Sequence, residues 1–308
     1  MKRLEEFRIF YNRTIHPELM RLERRRLRLF RLLFFSALLL TGLLFFEFYL
    51  DILVVTLVLM IPIGAYIGFL LYRIRQFVLT FKPHVMNLVL DFIDDGLNRG
   101  TLYYDAKKFI PKQRFMASRI FVTPAQYYEG EDHISGKVGE MPFELCELDV
   151  REASPVRTRL EFVFKGVFLY AIFPEEAEGE IVIWPREYQQ YHTRAIKSFT
   201  WDGGRNVDHE VLNDLFRRHF LTFATEDTHV AGILSEPMQE AIVRYLEQSN
   251  KELYLSFIHR EIYVAVSEPK DMLEPYIFRS NLSFELVREY FEDINLLLQI
   301  IEDFDQNH

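Results

Sequence analysis

The sequence has few of the signals that announce chemistry. It holds one cysteine, Cys146, so no internal disulfide forms, in agreement with a reducing compartment. Cys146 stands among Phe143, Leu145 and Leu148, the setting of a buried structural thiol rather than a nucleophile. The nine histidines are scattered, with no His-x-His or HExxH spacing to pair them as metal ligands. The adjacent pairs His209-Glu210 and Asp132-His133 point to opposite sides if their segments are strands. No Gly-x-Ser-x-Gly, Walker-type loop or GxGxxG occurs, and Gly203-Gly204 reads as a turn. The run Glu129-Gly130-Glu131-Asp132 gathers oxygens but lacks the alternating ligand spacing of a calcium loop, so it reads as a solvated acidic turn. These absences leave no catalytic residue, cofactor-binding residue or metal ligand to name, and the chain is expected not to be an enzyme.

Charge is also missing from one long stretch. Between Leu32 and Tyr72 only Glu47 and Asp51 are charged. Ile52 to Tyr72 is uncharged throughout, roughly 31 Å as a helix, which matches a hydrocarbon core of about 30 Å. Leu32 to Phe46 is shorter and must borrow Leu27, Leu29 and Phe30 or Phe48 to Leu50, with Arg28 and Arg31 snorkelling to the headgroups. The segment 32–72 is therefore expected to be a transmembrane helical hairpin. A second span following directly, and the long charged segment ahead of Leu32, argue against a signal peptide. Within the second span, Gly64 and Gly68 form a small-xxx-small pair, one turn after Pro62. That pair either joins this helix to another copy or packs it on the first span.

Basic residues set the orientation. Ten lysines and arginines precede Leu32, among them Arg24, Arg25, Arg26, Arg28 and Arg31, and Arg73 and Arg75 follow the second span. The connecting turn has none. Both termini are expected on the cytoplasmic side of a bacterial inner membrane. Residues 1–82 hold 13 basic and 6 acidic residues, net +7, and residues 83–308 hold 23 and 39, net −16. The first set suits anionic headgroups; the second is repelled by them and by nucleic acid, which excludes a nucleic-acid partner.

The expected organisation is a basic N-terminal helical segment (1–31), the hairpin (32–72), juxtamembrane helices (73–99) and a cytoplasmic α+β domain (100–308). Pro17 suits the first turn of a helix that runs into the membrane, and Pro83 is expected to interrupt the helix after the second span. Val85, Leu88, Val89, Phe92 and Ile93 then form one apolar stripe. Period-two patterns predict strands at Arg114–Val122, His133–Val138, Phe143–Val150, Arg157–Phe164, Val167–Phe173, Glu180–Trp184, Asn206–Val211 and His219–Ala224. A hairpin turn is expected at Lys165-Gly166. A helix at Glu236–Gln248, capped by Ser235, and a strand pair at Leu253–Ile258 and Glu261–Val266 follow. The last element is a helix over Phe284–Phe304. Val287, Tyr290, Phe291, Ile294, Leu297, Leu298 and Ile301 line one stripe, and Glu285, Glu289, Glu292 and Asp293 oppose it.

These features, with Phe115-x-x-Ser118-x-x-Phe121, Gly130-Glu131-Asp132-x-Ile134-x-Gly136-x-x-Gly139, Phe143-x-x-Cys146-Glu147-Leu148, Phe164-Lys165-Gly166-x-Phe168 and Ile233-Leu234-Ser235, resemble an uncharacterised bacterial family. It is catalogued as domain of unknown function 3137, some of whose members carry a galanin-like label. The resemblance implies a cytoplasm-facing inner-membrane protein, often encoded beside LemA-type membrane proteins, and supplies no catalytic residues. The functional expectation is a membrane-anchored interaction or scaffold protein in the lipid bilayer, assembling as a homo-oligomer or with a LemA-like membrane protein. The alternative is a lipid-binding or lipid-handling module.

Overall fold

The computed structural model describes residues 4–50, 53–94, 102–154, 159–173, 179–249, 251–269 and 278–307. The chain divides into two compact units, one of Arg3–Val89 with Leu273–Arg288, the other of Leu90–Met272 with Glu289–His308.

The first unit is built on three helices, α1 (Leu4–Phe10), α2 (His16–Leu50) and α3 (Leu53–Ile93). A single π-helical turn, Tyr11–Ile15, joins α1 to α2 without a break, and the His16 amide donates to the Tyr11 carbonyl. The wide turn has a cause in the sequence. Phe7, Tyr11, Ile15 and Leu19 are buried at four-residue steps, and at 100° per residue each step would drift the stripe about 40° around an α-helix. A π turn winds less per residue and returns the stripe to one face. It also lies just ahead of Pro17, which has no N–H to return to Arg13.

α3 passes through both Pro62 and Pro83, so the expected interruption at Pro83 does not occur. Phe81, Lys82, Val85, Met86 and Val89 are all buried around it. Their packing outweighs the few kcal/mol that an interior proline costs a helix. The segment before residue 288 closes this unit. The Tyr11 hydroxyl donates to the Leu282 carbonyl at 2.9 Å, and Phe284 meets the Tyr11 ring edge-on at 4.9 Å.

The second unit is a nine-stranded, wholly antiparallel sheet: β1 (Tyr103–Asp105), β2 (Tyr127–Val138), β3 (Met141–Ala153), β4 (Leu160–Ile172), β5 (Glu180–Pro185), β6 (Arg205–Asn206), β7 (Phe220–Ala224), β8 (Leu253–Ile258) and β9 (Glu261–Ser267). The spatial order is β1-β2-β3-β4-β9-β8-β5-β7-β6. Both faces are filled. Ile134, Leu145, Leu169, Val264, Leu255, Ile183 and Thr222 stand in register across seven strands, and all are buried. One position over, Cys146, Phe168, Ala265 and Tyr254 form a second buried row facing the other way. That is why Val167-Phe168-Leu169-Tyr170-Ala171 reads as an unbroken apolar run.

Five further helices dress the sheet, α4 (Lys112–Ala117), α5 (Gln189–Trp201), α6 (Asp214–His219), α7 (Val230–Ile233) and α8 (Glu236–Ser249). Phe115 of α4 and Phe199 of α5 share one core with Phe168 and Trp184. Ser235 caps α8 as expected, accepting from the Met238 amide at 3.3 Å. The last helix, α9 (Phe284–Asn307), gives its first turn to the hairpin unit and the rest to the sheet unit.

Several sequence expectations fail for identifiable reasons. Arg114–Val122 is no strand: Pro111 opens α4, and the Ser118 hydroxyl donates to the Phe115 carbonyl while accepting from the Ile120 amide, turning the chain locally. Lys165-Gly166 is no turn, because β4 runs straight through it. Gly166 has φ +149°, and a Cβ there would lie 2.1 Å from the Val266 carbonyl; the glycine serves close strand approach. The start of that strand at Arg157 falls outside the described residues. Asn206–Val211 pairs only at Arg205–Asn206. Beyond it, Asp208 turns its carboxylate to the Thr222 amide at 2.7 Å and to Arg186 at 2.6 Å, leaving a short 3-10 turn.

Asp293 is not on a solvated face. It is buried in α9, accepts from the Tyr245 hydroxyl of α8 at 2.6 Å and pairs with Lys251 at 2.7 Å. Burial raises the Asp293 carboxyl, and the Lys251 ammonium offsets part of that. The full apolar stripe named from the sequence is buried with it.

Candidate membrane-anchoring hairpin

Between Leu32 and Tyr49 the only described side chains that are not exposed are Leu33, Ser36, Leu40, Leu43 and Glu47. Between Val54 and Tyr72 they are Thr56, Met60, Ile63, Ile67 and Leu70. Both sets alternate steps of three and four, the heptad spacing of a two-helix coiled coil. The seam continues outward through Leu29, Arg26, Leu22 and Leu19 on α2 and Ile74, Phe77 and Phe81 on α3. Glu18 of α2 and His84 of α3 approach to 3.8 Å, so the two helices run antiparallel.

The rest of each helix is apolar and open. Both are long and apolar enough to cross a membrane, yet only 11% and 6% of their most apolar windows are buried. A core helix of a soluble protein would be mostly buried. Phe34, Phe35, Phe45, Phe46 and Phe48 all point outward, as lipid-facing residues do.

Gly64 and Gly68 are exposed and lie beside, not on, the seam. A Cβ on either would meet nothing within 4 Å. Within this chain, then, their small size brings no helix closer. Arg24, Arg25, Arg28, Arg31, Arg73 and Arg75 are exposed. Arg26 is the exception among the sequence-named arginines. It is buried at the seam and grips Glu23 through Nε at 3.0 Å and Nη2 at 2.6 Å. Asp51 lies outside the described residues.

In the sheet unit, the acidic run splits. Glu129 accepts from the Tyr127 hydroxyl at 2.6 Å. Glu131 sits directly opposite Glu147, a residue from the next strand that no sequence spacing singled out, and β2 bulges immediately after it. Asp132 takes a positive φ of 58° in that bulge and accepts from the Tyr104 hydroxyl at 2.5 Å. Oxygens of Glu131, Asp132 and Glu147 lie within 4.8 Å of one another, a spacing suited to a hard cation. Each of the three residues also interacts elsewhere in the chain, and an acidic cluster by itself assigns no ligand.

His133 turns instead to Glu144, Nε2 to Oε2 at 3.0 Å. His209 and Glu210 do meet, at 3.5 Å, because the segment is a 3-10 turn and not a strand. Cys146 is buried, its sulfur accepts from the Ile110 amide at 3.3 Å, and burial pushes its thiol well up. A thiol so held is inert.

No curated protein matches the chain. Among solved structures it is similar to the crystal structure of the mycobacterial trehalose monomycolate transport factor A, TtfA, at 8% identity over 65% of this chain and 88% of that chain. The TM-score is 0.29, too low to carry an argument. The family described as "Protein of unknown function (DUF3137)" matches residues 162–306. That stretch runs from within β4 through α9 and takes in the Phe164-Lys165-Gly166-x-Phe168 and Ile233-Leu234-Ser235 motifs. Over residues 162–306 the chain is similar to that family.

Proposed function

We propose that this protein is a membrane-anchored interaction protein, inserted as a two-helix hairpin with both termini on the arginine-rich, cytoplasmic side. The observation that carries the reading is the division of each span into a heptad seam and an open apolar remainder. The seam satisfies the hairpin, and the remainder needs lipid or another helix.

The open Gly64–Gly68 edge supports assembly through the second span, since small residues let helices approach where no side chain intervenes. The partner is a second copy of the hairpin or a LemA-like membrane protein. For the lipid-handling alternative, an apolar groove between sheet and helix is required. The two filled sheet faces among the described residues give it no support.

The deciding measurement is the mass and composition of the full chain extracted in mild detergent, beside Gly64→Leu/Gly68→Leu. An assembly that shrinks in the double variant supports the reading. A lone monomer with no crosslinked partner in cells overturns it. Reporter fusions at His308 should be active only in cytoplasmic form.

A further inference from the structure

The seam sorts the arginines of the hairpin. Taking Glu18 opposite His84, and the same rise per residue in both helices, Arg28 and Arg31 stand level with Ile74 and Leu71. Arg73 and Arg75 stand level with Leu29 and Leu27. Arginines from both helices thus meet at one height, where the uncharged stretches end.

Arg24, Arg25, Arg28, Arg31, Arg73 and Arg75 all project away from the seam. None of the six forms an ion pair among the described residues. Arg73 lies over the Phe69 ring at 5.8 Å, joining a charge to an aromatic at the same level. Arg26 shows the contrast: with the same chemistry it turns inward and is neutralised by Glu23. The outward set is six unneutralised guanidinium groups around a helix pair, and guanidinium binds phosphate through paired donors.

We propose that this collar binds the phosphates of anionic phospholipids in preference to zwitterionic ones, making the hairpin a lipid-selective anchor. The inference rests on the membrane reading above. Fixed cations at the headgroup level attract anionic lipid over about a Debye length. The collar gathers them within about two helical turns.

Full-length protein in mild detergent is offered an equimolar mixture of phosphatidylglycerol and phosphatidylcholine, and native mass spectrometry reads the ratio bound. The expected preference for phosphatidylglycerol is about tenfold or more, given several clustered cations. In Arg28→Gln/Arg31→Gln/Arg73→Gln/Arg75→Gln the ratio should fall to near one. In Arg8→Gln/Arg13→Gln/Arg21→Gln, which removes charge farther along the helix, it should persist. A ratio near one for the unaltered chain, or equal loss in both variants, overturns the proposal. Retention of the unaltered chain in membranes under alkaline wash separates the two readings. If it is retained without lipid preference, only the collar fails; if it washes off, the membrane reading fails and takes the collar with it.

Discussion

Phe46 and Phe168 are the same residue under opposite rules. Phe46, on α2, is 63% exposed, whereas Phe168, on β4, is fully buried. The hairpin unit keeps a narrow seam inside and turns most of its aromatic and aliphatic surface out. The sheet unit places both faces of its central strands inside. Burial of apolar area drives the second, at about 25 cal/mol per Å². In the first, on the membrane reading proposed above, helix–helix packing acts on surfaces that a bilayer would leave apolar. On that reading, equal hydrophobicity in the sequence corresponds to two different solvents.

That contrast is sharpest in large-to-small substitutions. Trp184→Ala, at a buried indole whose Nε1 donates to the Ile120 carbonyl at 2.9 Å, should lower unfolding stability by about 4 kcal/mol. Phe46→Ala should leave it nearly unchanged. Chemical unfolding of the detergent-solubilised full chain, followed by circular dichroism, compares the two. Equal losses would mean that Phe46 is covered by protein.

Acid should attack the sheet unit first. His192 is buried against Phe121 and Tyr254, and burial lowers its imidazole to about 4. The unfolded chain titrates near 6.5, so the fold holds its full contribution above that pH and loses it progressively down to about 4. The loss amounts to about 3 kcal/mol. In His192→Leu the pH dependence over that window should flatten; an unchanged profile places the acid sensitivity elsewhere.

For the hairpin the matching test is a charge on its outer face. Leu39→Arg, at an exposed position, should cost about 3 kcal/mol in a membrane-insertion assay. Normal insertion would count against a lipid-facing surface.

Smaller still is the buried pair of the sheet unit. Lys251→Met leaves Asp293 and Glu268 without their shared cation, and a loss of about 2 kcal/mol is expected, with partial recovery in Lys251→Met/Asp293→Leu. At the bottom of the scale, Arg194→Ala, which breaks an exposed pair with Glu152, should change stability by no more than about 0.5 kcal/mol. A loss comparable to that of Lys251→Met would show that exposure overstates the solvation of that pair.

Periodicity carried much of the fold into the sequence. The 21 uncharged residues to Tyr72, the α9 stripe and the β8–β9 pair are all local patterns that short-range physics enforces. The failures lie where a distant neighbour decides. Gly166 looks like a turn until β9 is seen passing within contact distance. Pro83 looks like a break until the packing around Phe81 and Val85 is counted. Glu147 joined Glu131 only through the register of β2 against β3.

By itself the sequence determined that two apolar helices exist, which ends carry the arginines and that the remainder is α+β, because composition and period are properties of a chain segment. Tertiary structure alone decided that Arg26 turns inward while Arg28 and Arg31 face out, and that Gly64 and Gly68 stand clear of the first helix. A helix has many faces, and only the position of its partner selects which one is buried.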